Sequence, residues 1–423
     1  MSVLDTSIAN VALPTIGHEL DATAEASVWV VNAYQIAIVM ALLPVAALGE
    51  IVGYRRLFGI GLALFAAASF GCALAGDLAG LAAARFVQGF GAACVFGVTG
   101  ALVRFTYPKA MLGRGIGLNA LTIGIASAAG PGVAAAILSV ASWRWLFAVN
   151  VPFSLLAVWL GFQFLPRAGG AARRFDYGSA ALNGVAFGLL FLGFSSVAHG
   201  TTSYRVGVEF AAGLLAAAAL IRRVRGQSNP LVPLDLLGIP ILRLSYATSS
   251  CSFAATTLAV VALPFILQDR FGFGRVETGL LITALPLAIA AVAPISGRLV
   301  ERVSAGLLGG IGLGVLAVGL CVLASLPTGV APVLIVLGSA VSGIGFGLFQ
   351  TPNNRLMLGV APAERSGAAA GMLATARLVG QTAGAVIVAL LFRLFGSASM
   401  APLLLGAAVA ALAAVLSLRR LSV

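Results

Sequence analysis

A chain of 423 residues that is 60% hydrophobic and 9% charged, with a mean hydropathy of +1.07, cannot wet the surface of a soluble fold, whose residues are about a quarter charged. Its solvent is lipid. The formal charge of +12 does not point to nucleic acid, because the basic residues stand singly between apolar runs and form no stripe interleaved with aromatics.

Runs of about 20 apolar residues cross the hydrocarbon core as helices, and the chain carries fourteen candidate runs. The first six are Met1–Ile16, Val28–Leu48, Leu57–Ala75, Leu78–Val103, Gly113–Val140 and Trp145–Leu165. A pair follows, Ser179–Ala198 and Val206–Leu220, the second weakened by Glu209 near one end. The last six are Leu242–Leu267, Gly279–Leu299, Ala305–Leu326, Pro332–Gln350, Gly367–Phe392 and Met400–Leu416. Met1–Ile16 is roughly four residues short of a crossing, so the natural start is expected upstream of Met1. The basic region and Ala-x-Ala site of a cleavable signal peptide are missing from the sequence. Cys72, Cys94, Cys251 and Cys321 sit inside apolar runs without CxxC spacing and read as packing residues.

Orientation follows from the basic residues. One alternating set of connections, from Arg55 and Arg56 to Arg419 and Arg420, holds 18 of the 25 Lys and Arg; the other holds Arg144, Arg205, Arg270, Arg275 and Arg393. The richer set, which includes Lys109, Arg167, Arg173, Arg174 and Arg365, is expected in the cytoplasm together with both termini. Only Arg85 and Arg377 lie deep in spans.

The chain also repeats itself. Val11-Ala12-Leu13-Pro14 recurs as Val261-Ala262-Leu263-Pro264, and Ala46-x-Leu48-x-Glu50-x-x-Gly53 recurs as Gly297-x-Leu299-x-Glu301-Arg302-x-Ser304. Both matches fall at equivalent places in the first and second spans of each half. The expected fold is an all-α membrane protein of two six-helix bundles in parallel repeat plus an inserted helix pair. Its parts are an N-terminal bundle in residues 1–165, a linker with the two inserted spans in 166–240, and a C-terminal bundle in 241–423. Asp5 aligns with Ala255, so the acid belongs to the first copy alone.

These motifs resemble the major facilitator superfamily and, within it, the fourteen-span drug:proton antiporters of the EmrB/QacA type. Leu4-Asp5-x-Ser7-x-x-Asn10-Val11-Ala12-Leu13-Pro14 is similar to the first-span signature of that family. Ala46-x-Leu48-x-Glu50-x-x-Gly53-Tyr54-Arg55-Arg56 resembles the superfamily's cytoplasmic loop motif, with Glu for the usual Asp. Ala84-Arg85-Phe86-Val87-Gln88-Gly89 matches the fourth-span motif, and Gly130-Pro131-Gly132 with Ala134 and Ala135 resembles the fifth-span antiporter motif. Trp143-Arg144-Trp145-x-Phe147-x-x-Asn150-Val151-Pro152 is a further hallmark. The resemblance implies a proton-coupled multidrug exporter with a role in antibiotic resistance, in a bacterial cytoplasmic membrane.

Each motif also has a physical reading of its own. A charge inside a span is costly and usually faces a cavity, so Asp5 is expected to carry the coupling proton, with Arg85 tuning it. The competing reading makes Asp5 an N-cap or a solvated acid at the end of a span. Asn10, Gln88, Arg377 and Gln381 are expected at the substrate cavity, although Arg377 and Gln381 could equally brace the second bundle. Glu50, Gly53, Arg55 and Arg56, with Gly297, Glu301 and Arg302 in the repeat, read either as a latch across the bundle interface or as a topogenic charge cluster. Gly130 and Pro131 would let span five bend, or simply pack it closely. Asn353 and Asn354, after Pro352, are expected to cap or turn the end of span twelve. His18 and His199 are isolated, so neither a metal nor a cofactor is expected.

The function expected is export of hydrophobic, cationic small molecules by alternating access, driven by protons. Its partners are the small-molecule substrate, protons and the bilayer, with a periplasmic adaptor left open. Export of an endogenous metabolite would use the same machinery. A sensor would carry a soluble output domain, and a channel has no need of paired bundles. The chain has no Gly-x-x-x-x-Gly-Lys-Ser/Thr loop for ATP and no nucleophile–base constellation of an enzyme.

Overall fold

A computed structural model describes residues 1–108, 112–166, 175–198, 203–225, 234–360 and 366–422. Lys109, Arg167, Arg173, Arg174, His199 and Arg365 lie outside the described residues. Every regular element described is helical, as it must be where only the chain itself can satisfy its backbone groups. The first half contains α1 (Ser2–Glu19), the short α2 (Ala24–Ser27), α3 (Trp29–Val52), α4 (Tyr54–Leu74), α5 (Leu78–Thr106) and α6 (Leu112–Val140). Its last crossing is α7 (Arg144–Ala148) and α8 (Asn150–Phe164), set end to end about Val149. Then come α9 (Tyr177–Ala198) and α10 (Ser203–Val224). The second half contains α11 (Pro240–Phe265), continued by a π turn at Ile266–Arg270, then α12 (Arg275–Leu299), α13 (Ala305–Ser325), α14 (Pro332–Val360), α15 (Ser366–Phe395) and α16 (Ala401–Leu418). Among the described residues thirteen helical segments are long and apolar enough to cross a membrane, and α1 fills the place of the remaining run.

The span that differs from expectation is α14. It does not end at Gln350 but runs through Pro352 to Val360, so Asn353 neither caps nor turns. Its side chain is buried and accepts a hydrogen bond from Arg420 Nη1 at 2.7 Å, while Arg420 also donates to Ser245 and Ser417. A proline is tolerated inside such a helix because its neighbours re-satisfy the freed groups.

Between lipid-bathed helices there is little hydrophobic drive, so association depends on backbones coming close at small residues. The two halves do this in the same way. A Cβ at Gly89 would meet the Tyr34 carbonyl and one at Gly343 the Leu285 carbonyl; one at Gly91 would meet Gly61 and Phe65, and one at Gly345 would meet Gly312 and Leu316. The repeat is therefore written into the packing as well as the sequence.

The halves meet where α1 packs on α11 and α6 on α12. One apolar core runs across that junction from Ile8, Leu13 and Ile16 to Leu263 and Ile266. Beyond it Arg275, at the start of α12, pairs with Glu19, at the end of α1, at 3.8 Å. The inserted α9 packs along α10 and leans on α3 and α15. Asn183 Nδ2 donates to the Met40 carbonyl of α3 at 2.9 Å, and Phe191 joins a core with Leu378 and Val386 of α15.

Candidate functional site

The site begins with the two faces of α1. Val3, Thr6, Ser7 and Asn10 recur at helical spacing and look into a cavity between the halves. Asp5 lies on the other face, turned into the first bundle and 1% exposed. It is neither an N-cap nor a solvated acid. Arg85, on α5 and 0% exposed, donates through Nη1 to Asp5 Oδ2 at 2.5 Å and to Gln88 Oε1 at 2.5 Å. Its Nε donates to the Val30 carbonyl at 3.0 Å.

A carboxylate buried in this way needs its remaining lone pairs filled. Asp5 Oδ1 accepts from Asn150 Nδ2 at 2.7 Å and from Gln88 Nε2 at 3.2 Å, and Gln88 Nε2 also donates to Ser69 Oγ at 2.7 Å. Four helices, α1, α4, α5 and α8, thus converge on one acid. The Arg85 guanidinium lies 4.1 Å from the Tyr34 ring centroid and 5.5 Å from that of Phe147, where the ring faces attract a cation. Among the described residues its Nη2 has no hydrogen-bond partner.

The cavity, about 280 Å³, is lined from both halves. Asn10, Arg377 and Gln381 are on its wall, as expected, and none of its lining comes from α9 or α10. Gln88 is not on the wall. It is a correction to the expected placement that Asp5, Arg85 and Gln88 stand behind the wall, because each is turned toward the others inside the first bundle. Tyr34 belongs to both places, lining the cavity and covering the guanidinium. The lining includes no carboxylate among the described residues, and Arg377 is its one charged side chain. Among the described residues the wall therefore offers a cation no counter-charge of its own.

The expected gating residues scatter more widely. Gly53 makes the turn between α3 and α4 at φ +98°, a conformation that favours glycine. Arg55 reaches the carbonyls of Leu165, at 3.2 Å, and Phe162, so it holds α4 to α8 within its own bundle and does not cross the interface. Glu50, Arg56, Glu301 and Arg302 are exposed, and Gly297 has open room around it. Gly130 and Pro131 sit at a contact point: Gly130 packs on Ser7 of α1, and the Pro131 carbonyl lies against Gly279 of α12. Ser7 Oγ donates to the Ser127 carbonyl at 3.2 Å.

Sequence reasoning gave no site role to Asn150, Tyr34 or Ser69. Asn150 stood inside a recognised hallmark motif and could have been found there. Tyr34 and Ser69 are ordinary polar residues within apolar spans, and only packing shows what they face.

Two helical halves packed around a central cavity, with a buried ion pair against one wall, are the architecture of a membrane transporter. The chain belongs to the Major Facilitator Superfamily, whose family model matches residues 1–222 and 246–422. It is 49% identical over 416 residues to the uncharacterized transporter YebQ of Escherichia coli (strain K12), covering 98% of this chain and 91% of that one. It is 31% identical over 405 residues to the multidrug resistance protein Stp of Mycobacterium tuberculosis (strain CDC 1551 / Oshkosh), covering 95% and 75%. The solved structure of the human organic anion transporter MFSD10 (TETRAN) superposes with a TM-score of 0.66 at 16% identity, over 98% of this chain and 96% of that one; this likeness concerns the fold. The comparisons point to a membrane transporter family, not to an enzyme.

Proposed function

We infer that this protein is a proton-coupled exporter of small apolar molecules working by alternating access, of the drug:proton antiporter kind. The observation that carries the reading is the Asp5–Arg85 pair, fully buried at 2.5 Å and separated from the cavity by the helix that bears Asp5 and by the Tyr34 ring. A proton arriving at Asp5 competes with Arg85 for the same carboxylate, since pairing holds the ionised form and protonation releases the guanidinium. Either event changes what α1 and Tyr34 present to the cavity. Coupling thus runs through the wall and not by direct exchange on the acid.

The excess of basic residues in alternate connections supports a cytoplasmic location for both termini in a bacterial inner membrane. In that orientation the Arg275–Glu19 pair and the apolar junction lie on the outer side, so the bundles are closed outward. Residues 1–165 and 241–423 would then rock about the cavity, with 166–240 carrying the inserted pair between them. The similarity to the multidrug resistance protein Stp of Mycobacterium tuberculosis supports a foreign cargo; an endogenous metabolite would use the same parts.

The test is substrate-induced proton release from vesicles reconstituted with the wild type and with Asp5→Asn. The expected result is loss of proton release in a variant that still purifies as a monodisperse protein. Exchange at the normal rate would place the coupling group elsewhere. A susceptibility screen across dyes, biocides and antibiotics, with and without the gene, separates drug export from metabolite export.

A further inference from the structure

If the central cavity is the substrate site, as inferred above, its own chemistry assigns a class to the cargo. The wall carries a single charged side chain, Arg377, near the middle of α15. Its recorded neighbour is the Phe253 ring, whose centroid is 5.3 Å from the guanidinium carbon. Arg85 shows a charge-compensated guanidinium in this protein, with a carboxylate and an amide oxygen on Nη1 and a carbonyl on Nε. Among the described residues, no carboxylate, carbonyl or amide is recorded on Arg377 in the same way. A guanidinium keeps its charge at any accessible pH, and Arg377, half-buried on the cavity wall, keeps that charge open to whatever enters. The missing partner is an anion.

A second observation concerns hydrogen bonding on the facing wall: two acceptors there await a donor N–H or O–H from the cargo. Asn10 and Gln35, 6% and 4% exposed, both line the cavity, and their amide oxygens have no hydrogen-bond partner among the described residues. Both side chains stand in the first bundle, opposite Arg377 and Gln381 of the second. Polar groups are left unpaired at a pocket wall where a ligand completes them. The rest of the wall mixes hydroxyl residues such as Thr6, Ser7, Thr256 and Thr257 with apolar ones and with rings from Phe96, Phe253 and Phe346. A pocket of about 280 Å³ is at the small end of the usual range for ligands.

We propose that this cavity takes compact amphiphilic organic monoanions, with Arg377 pairing the acidic head and the phenylalanine rings holding an aromatic or aliphatic body. The guanidinium fork matches a carboxylate in a bidentate manner, the Gln381 amide N–H donates beside it, and the Asn10 and Gln35 oxygens accept from any N–H or O–H the cargo carries. A cation of the same shape meets like charge in a low-dielectric pocket and is refused. Exchange of a monoanion for an entering proton also moves charge in the direction favoured by an inside-negative membrane.

The experiment uses the full chain purified in detergent and three probes on one scaffold: 1-naphthylacetate, neutral 1-naphthylacetamide and the 1-naphthylmethylammonium cation. Binding is measured by calorimetry. The acetate is expected to bind about ten- to a hundredfold more tightly than the cation, the range a charge-assisted hydrogen-bonded pair supplies. Arg377→Gln should erase that ratio and Arg377→Lys should retain much of it. Gln381→Leu, which leaves the charge in place, should weaken the acetate while preserving its advantage over the cation. A brace against Phe253 would instead lower stability in Arg377→Gln and leave the ratio intact, which overturns the proposal. So would equal or tighter binding of the cation, or no binding by any of the three. Proton release in vesicles is scored separately. Acetate binding with no proton release removes the proton-coupled reading and leaves the anion site standing. Proton-coupled efflux of the cation without preference for the acetate removes the anion site alone.

Discussion

Asp5→Asn is the sharpest perturbation available, because it removes a charge and almost nothing else. The new amide keeps an oxygen for Asn150 and Gln88, which now lie at 2.7 and 3.2 Å from Asp5 Oδ1. Arg85 loses its counter-charge while staying 0% exposed. Breaking a buried pair from one side costs about 3–5 kcal/mol, mostly for the charge left behind. Arg85→Gln strands the carboxylate and should cost a similar amount. The double change removes both charges, and what remains lost is two or three hydrogen bonds at about 1 kcal/mol each. The double variant should therefore be more stable than either single one, with a coupling of at least about 3 kcal/mol. The measurement is reversible unfolding in mixed micelles by a denaturing detergent, followed by tryptophan fluorescence. Additive losses would refute the claim that these two residues form one electrostatic unit.

Other substitutions probe the surroundings in the same titration. Asn150→Ala should cost about 1–2 kcal/mol, since it leaves one oxygen of a buried carboxylate short of a donor, and proton release should fall with it. Tyr34→Phe should be nearly silent, because the hydroxyl reaches the Ser2 carbonyl only at 3.4 Å; Tyr34→Ala opens the wall beside Arg85 and should cost about 3–5 kcal/mol. Gly345→Ala drives a methyl into the backbone of Gly312 and Leu316 and should cost about 1–3 kcal/mol. Gly314→Ala, where a Cβ meets nothing within 4 Å, should be neutral or slightly stabilising and serves as its control.

The spans were legible because in lipid the length of an apolar run is the length of a crossing. Asp5 and Arg85 were legible because a charge in such a run has few places to go. Which way they point was not: on α1 the cavity face and the bundle face are both apolar enough to be a wall, and only the donors brought by α4, α5 and α8 decide where the acid turns. Asn150 is 145 residues away from Asp5 in the chain, and no local spacing predicts that meeting. Arg55 was read as crossing the interface because its motif contains an acid nearby, yet the carbonyls that end α8 are within its reach. The end of α14 was misjudged because Pro352 and the polar residues after it look like a stop in water, where no neighbouring helix re-satisfies the backbone. The visible acid suggested a cationic cargo, but Asp5 is paired with Arg85 behind the wall and offers its charge to nothing in the cavity.

The inserted α9 is fixed to one side of the seam and rests on the other. Asn183 ties it to α3 by a directional bond, whereas its meeting with α15 is a greasy contact among Phe191, Leu378 and Val386. A hydrogen bond resists sliding and apolar surfaces do not. When the halves rock, α9 and α10 would travel as a rider on the first bundle, and α15 would glide beneath them as on a bearing. In such a motion that side of the molecule would keep its apolar cover, and a cargo drawn from the leaflet would arrive by another flank.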